Sequence, residues 1–536
     1  LWLIDSFAKM MDYVAIDAVE PEWHIWELFQ TSDVPAALRR DATDGVQAVH
    51  VQVNHPAEID SLFDAAIVYA KGARMLVMVR ALIGDDALRE GLKNYFAAHK
   101  YNNATGADLW QALGDASGQD ISAVMNSWLE QPGYPVISAE VLDGQLTLTQ
   151  QQFFIGEGQD ANRLWQIPVN SNYEAVPKIM TEQKIVLGDY VTLRREAGEA
   201  FYLNMRNDSH FIVKYDATLL QDILVNVDQL DAITQRQIIQ DLHILAQGRQ
   251  IAFSEIVPLL LRFAHSDSKI VNDALYVVAQ DLRQFVTPDS DEEKNLKQFY
   301  DKLSHQQFER LGWHAKENES LDDELTRPYI VSAALYAENS VATTQAHDLF
   351  KTHESDLQKL PAEIRVFIIR NEVQNHGNQT LFDDLLLNYR QTSDAGYKQD
   401  LRAAITSVTD PKLVSQLVTT FKNTNVIKPQ DLRGWFGNTL RNAHGEKAAW
   451  DWLRQDWDWL ESKVGGDMEF TTYITVAASV LKTAQRLEEF KNFFNPKIDQ
   501  PGLTREIKMD TRVISGRVAL IASEKNAVNQ MIADNI

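Results

Sequence analysis

Residues 1–20 read LWLIDSFAKMMDYVAIDAVE, and the rest of the chain is interpreted outward from them. From Asp5, apolar side chains recur at Phe7, Met10, Met11, Val14 and Ala18, the 3.6-residue period of a helix with one buried face. Asp5 stands where this period begins. On local grounds its carboxylate reads as a helix N-cap, accepting bonds from the unpaired N–H groups of the first turn. A second apolar stretch, LFDAAIVYAKGARMLVMVRALIG at 62–84, puts Tyr69, Ala73, Leu76 and Ile83 on one helical face. By spacing alone Tyr69 is a core tyrosine with its hydroxyl at the rim. Lys71 and Gly72 read as a solvated charge and a close helix contact.

Between these stretches, Trp23, Trp26 and Phe29 offer apolar contacts, and RRDATDGVQAVHVQVNHP reads as an extended loop. His50, His55 and Asp60 invite a metal assignment, but the odd spacing of the two histidines sends them to opposite faces of an extended segment. Three further helices are expected before Pro132: one with Leu88, Leu92, Tyr95 and Phe96, one opened by Thr105 and Asp108, and one with Ile121, Val124, Met125, Trp128 and Leu129. Past Pro135 the period changes to two. Asp143-Gly144 joins two alternating runs as a hairpin turn, and the segments at 163–174, 184–193, 200–206 and 210–216 read as further strands. A β-sandwich over 132–216 is the expectation.

From about Leu219 helical patterns follow one another without strands, which suggests an α-solenoid. Trp450, Leu453, Trp457 and Leu460 form one core stripe there. The expected fold is therefore multidomain α+β, in three parts: 1–131, 132–216 and 217–536.

Composition narrows the function classes. The 536 residues carry a formal net charge of −24, which repels nucleic acid and anionic membrane surfaces, so neither is an expected partner. Cysteine is absent, which rules out a disulfide framework or a thiolate nucleophile and suits a cytoplasmic protein. Neither a P-loop nor a G-x-S-x-G elbow occurs.

The stretch at 1–21 resembles the LWLNESFAxxMEYxAIDxxxP segment of the aminopeptidase N family, zinc-dependent gluzincin exopeptidases, in its lactic-acid-bacterium form. Phe63, Asp64, Tyr69, Lys71 and Gly72 stand in register with a second family segment. Trp128, Gln131, Pro132, Gly133, Tyr134, Pro135 and Val136 reproduce the W-x-x-Q-P-G-Y-P-V motif that closes its catalytic domain. The likeness continues through 310–330, 450–470 and 501–521. It implies that 1–131 is the helical part of a thermolysin-like catalytic domain and 217–536 a HEAT-like superhelical cap. It also places Asp5 at the third zinc-ligand position, where the family has Glu, with Ile4 replacing an Asn. The carboxylate is one methylene short of the usual ligand. Tyr69 falls on the family's catalytic tyrosine, the donor that steadies the oxyanion.

The H-E-x-x-H motif that supplies two zinc ligands and the general base does not occur in the 536 residues, nor does G-x-M-E-N. The resemblance thus implies the carboxy-terminal part of a zinc aminopeptidase acting on peptide amino termini. Zinc belongs to the complete enzyme, is not expected to bind tightly to this span, and a missing amino-terminal half is the expected partner. The competing expectations are a non-catalytic protein that holds peptides or a partner on a concave helical array, and a degenerate gene fragment.

Overall fold

The apolar period of the opening stretch closes into α1, Trp2–Val19, which buries Ser6, Met10 and Tyr13. In the computed structural model, which describes residues 2–53, 63–466, 470–500 and 502–536, Asp5 lies inside α1 rather than at its N-cap. Its carboxylate consequently projects sideways from the helix. His55 and Asp60 fall outside the described residues, whereas the His50 amide is bonded to the Leu129 carbonyl at 2.8 Å. The expected loop after Phe29 is in part helical: α2, Ile25–Thr31, and α3, Asp33–Asp41, precede it. Tyr13, Trp26 and Phe29 form an aromatic cluster with ring centroids 5.1–5.7 Å apart, joining α1 to α2.

Residues Ala66–Lys71 make a π-helical turn that runs directly into α4, Gly72–Ile83. Every residue of α4 from Gly72 to Val79 is buried, which explains why this stretch is apolar almost throughout. α5, Asp85–His99, α6, Gly106–Ser117, and α7, Ile121–Leu129, follow as expected. Thr105 and Asp108 cap α6 reciprocally, each side chain taking the other's backbone N–H.

β1, Pro135–Leu142, and β2, Gln145–Gln152, pair antiparallel about Asp143 and Gly144. Both turn residues have positive φ, 50° and 81°, as the two-residue hairpin requires. β3, Ile167–Pro168, and β4, Ile179–Met180, form a separate ribbon; β5, Lys184–Asp189, joins the main sheet beside β2. The expected strand at 163–174 shrinks to β3, and two further strand expectations fail in part. Tyr190–Ala197 is a helix, α8, because the Asp189 carboxylate caps the Thr192 amide and redirects the chain. The alternating run at 200–206 contributes a lone bridge between Ser171 and Leu203, since Asn204, Arg206 and Asn207 turn the backbone left-handed with φ of 54–64°. β6, Ile212–Tyr215, completes a sheet of order β5-β2-β1-β6, lying parallel to β1.

The chain divides into two compact units, Leu1–Phe253 and Ser254–Ile536. The first ends with α9, Ala217–Val225, and α10, Ala232–Gln247. The second begins within α11, Phe253–Phe263, and runs through α12, Lys269–Leu282, α13, Asp291–Leu311, α14, Leu321–Tyr336, α15, Ser340–His353, and α16, Ala362–His376. Further helices continue to a long final one, Thr504–Asp534.

Trp450, Leu453, Trp457 and Leu460 are all at most 2% exposed, so the stripe is core, although it spans two helices that meet at Asp456. One feature departs from a simple stack in which each helix touches only its neighbours. The final helix returns to α13: Lys525 pairs with Glu292 at 3.0 Å, and Lys302 reaches the Asn535 carbonyl at 2.9 Å. Among the described residues no helix is long and apolar enough to cross a membrane.

Candidate active site

Asp5 and Tyr69 come together because α1 docks against the π-turn and α4 at very short range. Ser6 Oγ donates to the Val68 carbonyl at 2.6 Å. A Cβ at residue 72 would lie 1.9 Å from Ser6 Oγ, so only glycine allows this approach. The expected close helix contact at Gly72 is thus present, and it seats Asp5 beside the turn that carries Tyr69.

The π-turn itself sets the direction of the tyrosine. Ile67, Val68, Ala70 and Lys71 are buried while Tyr69 stays partly exposed, its ring edge-on to Phe63 at 5.7 Å. A π-helical insertion shifts the helical register by part of a turn, and such insertions are frequent at functional sites.

Burial, the charge of Asp5 and a hydrogen bond to Asp5 together push the Tyr69 phenol above its ordinary value. The phenol therefore remains a proton donor at neutral pH. Asp5 Oδ2 is buried and has no hydrogen-bond partner among the described residues. Such an orphaned carboxylate oxygen is costly unless a cation or a donor meets it, and it suits one ligand of a zinc set. No group of three metal-binding side chains forms around Asp5 among the described residues. Asp5 thus fits as a single donor, and the described residues do not complete a zinc site about it.

Behind the turn, the expected solvated charge at Lys71 is overturned. Its side chain is fully buried, with Nζ 2.8 Å from Asp41 Oδ2 and 3.2 Å from the Gly133 carbonyl. Asp41 also accepts the Gly133 amide at 2.9 Å and faces His210 Nε2 at 3.0 Å. Burial opposes ionisation of Asp41, but Lys71 and the His210 hydrogen bond outweigh it and hold the carboxyl below its usual range. Burial likewise pushes His210 down to about 4, so the ring is neutral and donates to Asp41.

One turn further on, the buried Arg74 donates to the Asn207 side chain at 2.7 Å and to the Ser209 carbonyl at 2.6 Å. Lys71 and Arg74 thereby fasten the Tyr69 turn to Gly133 and to the loop before β6. Sequence reasoning missed this network. The available signal was two cations set in an otherwise continuous apolar run, a place where charge is kept only if it is partnered.

Comparison with known proteins gives this geometry its context. Residues 1–128 match the peptidase family M1 domain, and residues 200–514 match the ERAP1-like C-terminal domain. Complete enzymes of the M1 aminopeptidase family use zinc. This chain belongs to peptidase family M1.

Among its relatives, aminopeptidase N of Lactobacillus helveticus is 56% identical over 100% of this chain and 64% of its own length. Aminopeptidase N of Lactobacillus delbrueckii subsp. lactis is 54% identical over 99% of this chain and 63% of its own. Aminopeptidase M1 of Arabidopsis thaliana is 27% identical over 99% and 62%. The chain thus spans a little under two thirds of the relatives it matches.

Proposed function

We propose that these 536 residues are the carboxy-terminal part of a zinc aminopeptidase that removes amino-terminal residues from peptides in the cytoplasm. The observation that carries this reading is the convergence of Asp5, with its orphaned oxygen, and Tyr69, with its raised phenol, at the docking of α1 on the π-turn. The proposed organisation is the helical part of a thermolysin-like domain at 1–131, a β module at 132–216 and a HEAT-like cap at 217–536.

In the complete site Asp5 supplies one carboxylate oxygen to zinc, whose chemistry there is to polarise the scissile carbonyl and activate water. Tyr69 keeps its proton and donates a hydrogen bond to the oxygen that gains charge. Ser6 and Gly72 hold these two groups in register. Lys71 and Asp41 carry no proton in the reaction and act as the buried support of the turn. One carboxylate does not replace a full ligand set, so this span by itself binds zinc weakly at Asp5 and is inactive.

The test joins these residues to the amino-terminal segment of the Lactobacillus helveticus relative, by fusion or co-expression. Aminoacyl-anilide hydrolysis and stoichiometric zinc are expected for the joined protein and for neither part alone. Within it, Tyr69→Phe lowers kcat by ~10²–10³-fold with zinc retained, while Asp5→Ala lowers zinc content. Turnover with bound zinc at Asp5 in the 536-residue chain alone would overturn the incompleteness, and unchanged kcat in Tyr69→Phe would remove Tyr69 from the site.

A further inference from the structure

The second unit holds a different cluster with its own chemistry. His347 on α15, with Glu372 and His376 on α16, brings one donor atom from each side chain to within 4.8 Å of the others. Glu372 and His376 are four apart, hence on one face of α16, and His347 meets them from the neighbouring helix. His347 Nδ1 lies 2.7 Å from Glu372 Oε2, and the two imidazole centroids are 4.3 Å apart. The carboxylate is almost fully buried, His347 is about one-third exposed and His376 is exposed. The cluster is therefore anchored inside and open at its mouth.

The plainest account makes Glu372 an acceptor for His347 and an ion-pair partner for Lys351, whose Nζ stands 3.9 Å from Oε1. That account covers two of the three side chains. It gives no reason for a second imidazole to sit against the first beside the same carboxylate.

We infer that His347, Glu372 and His376 form a binding site for a divalent transition-metal ion, with two imidazole nitrogens and one carboxylate oxygen as ligands. Two nitrogens and one oxygen favour zinc, cobalt or nickel over magnesium or calcium, which prefer all-oxygen sets. Tetrahedral zinc with bonds of ~2.0–2.2 Å needs ligand atoms spaced by roughly 3.4 Å. The present cluster brackets that spacing, and His376 closes the difference by side-chain rotation because it is exposed. His376 is also the last residue of α16, where the helix dipole favours positive charge.

On binding, the ion takes the place of the hydrogen between His347 Nδ1 and Glu372, and the imidazole then carries its N–H on Nε2. Lys351 is displaced onto Glu354, to which it already pairs at 3.2 Å. Three protein ligands leave a position for water, and the ion cross-links α15 to α16. The site shares no residue with Asp5 and does not depend on the peptidase assignment.

The experiment titrates cobalt(II), then zinc(II) in competition, into the chelator-treated full chain, reading visible absorption, calorimetry and thermal unfolding. Saturable binding of one ion is expected, with a raised melting temperature, and Asp5→Ala leaves it intact. His376→Ala, at an exposed helix end, weakens binding by at least ~10-fold while the metal-free melting temperature stays unchanged. His347→Ala acts likewise, and Lys351→Ala tightens binding by removing the competing cation. Absence of saturable binding, loss in Asp5→Ala, or retention within about threefold in both histidine variants overturns the site.

Discussion

Replacing Gly72 by alanine tests whether the close approach of α1 is what builds the Asp5–Tyr69 pair. The added methyl would stand 1.9 Å from Ser6 Oγ and 2.6 Å from Ser6 Cβ. Rotating Ser6 moves Oγ but not Cβ, which is fixed to the backbone of α1. Carbon atoms in contact rest ~3.5–4.0 Å apart, so α1 has to withdraw by roughly 1 Å.

Overpacking of this kind costs ~1–3 kcal/mol, and loss of the Ser6–Val68 bond adds about 1 kcal/mol. Alanine's helix preference over glycine returns about 1 kcal/mol. A net loss of about 2 kcal/mol follows from these terms. Because a chain of two units need not unfold in one step, the loss is best read locally, by native-state hydrogen exchange of the α1 amides alongside urea unfolding.

Ser6→Gly removes both clashing atoms. The double variant Ser6→Gly/Gly72→Ala should therefore lose less stability than the sum of the two single losses, by at least ~1 kcal/mol. Withdrawal of α1 also carries Asp5 away from Tyr69, so the phenol titrates nearer its ordinary value, measured as tyrosinate absorbance against Tyr69→Phe. A Gly72→Ala chain as stable as the parent, or strictly additive double-variant behaviour, would refute the reasoning.

Lys71→Met leaves the Asp41 charge buried without its cation and should destabilise the first unit by ~3–5 kcal/mol, with part recovered in Lys71→Met/Asp41→Asn, as judged by urea unfolding. His210 gives a pH signature. Its folded-state value is depressed from 6.5 to about 4, so the unfolded chain takes up this proton first as pH falls. Its contribution is fully present above about 6.5 and is lost on descent to about 4, roughly 3 kcal/mol in all. In His210→Gln that share of the acid destabilisation should disappear when the two chains are compared across this window by denaturant titration.

Much of the fold was legible because its signals are local. The apolar period of residues 7–18 announces α1, the Thr105–Asp108 pair opens α6, and Asp143-Gly144 turns the hairpin, each through chemistry contained within a few residues. The errors arose where a local pattern competed with a cap or a twist. Alternation at 200–206 looks like a strand, yet Asn204, Arg206 and Asn207 adopt left-handed backbone, and Asn207 there meets Arg74 and Gln30. Tyr190–Ala197 followed its Asp189 cap into a helix.

What the sequence by itself determined is the run of elements and the family to which the chain belongs, because periodicity and motif spacing are properties of neighbouring residues. Only the tertiary structure decided which side chains meet. It set Asp5 inside α1 facing Tyr69, moved Lys71 from solvent into an ion pair with Asp41, and brought His347 to Glu372 and His376 from another helix. The reason is physical. A buried charge or an orphaned oxygen is tolerated only where another element supplies its partner, and no local pattern records which element that is.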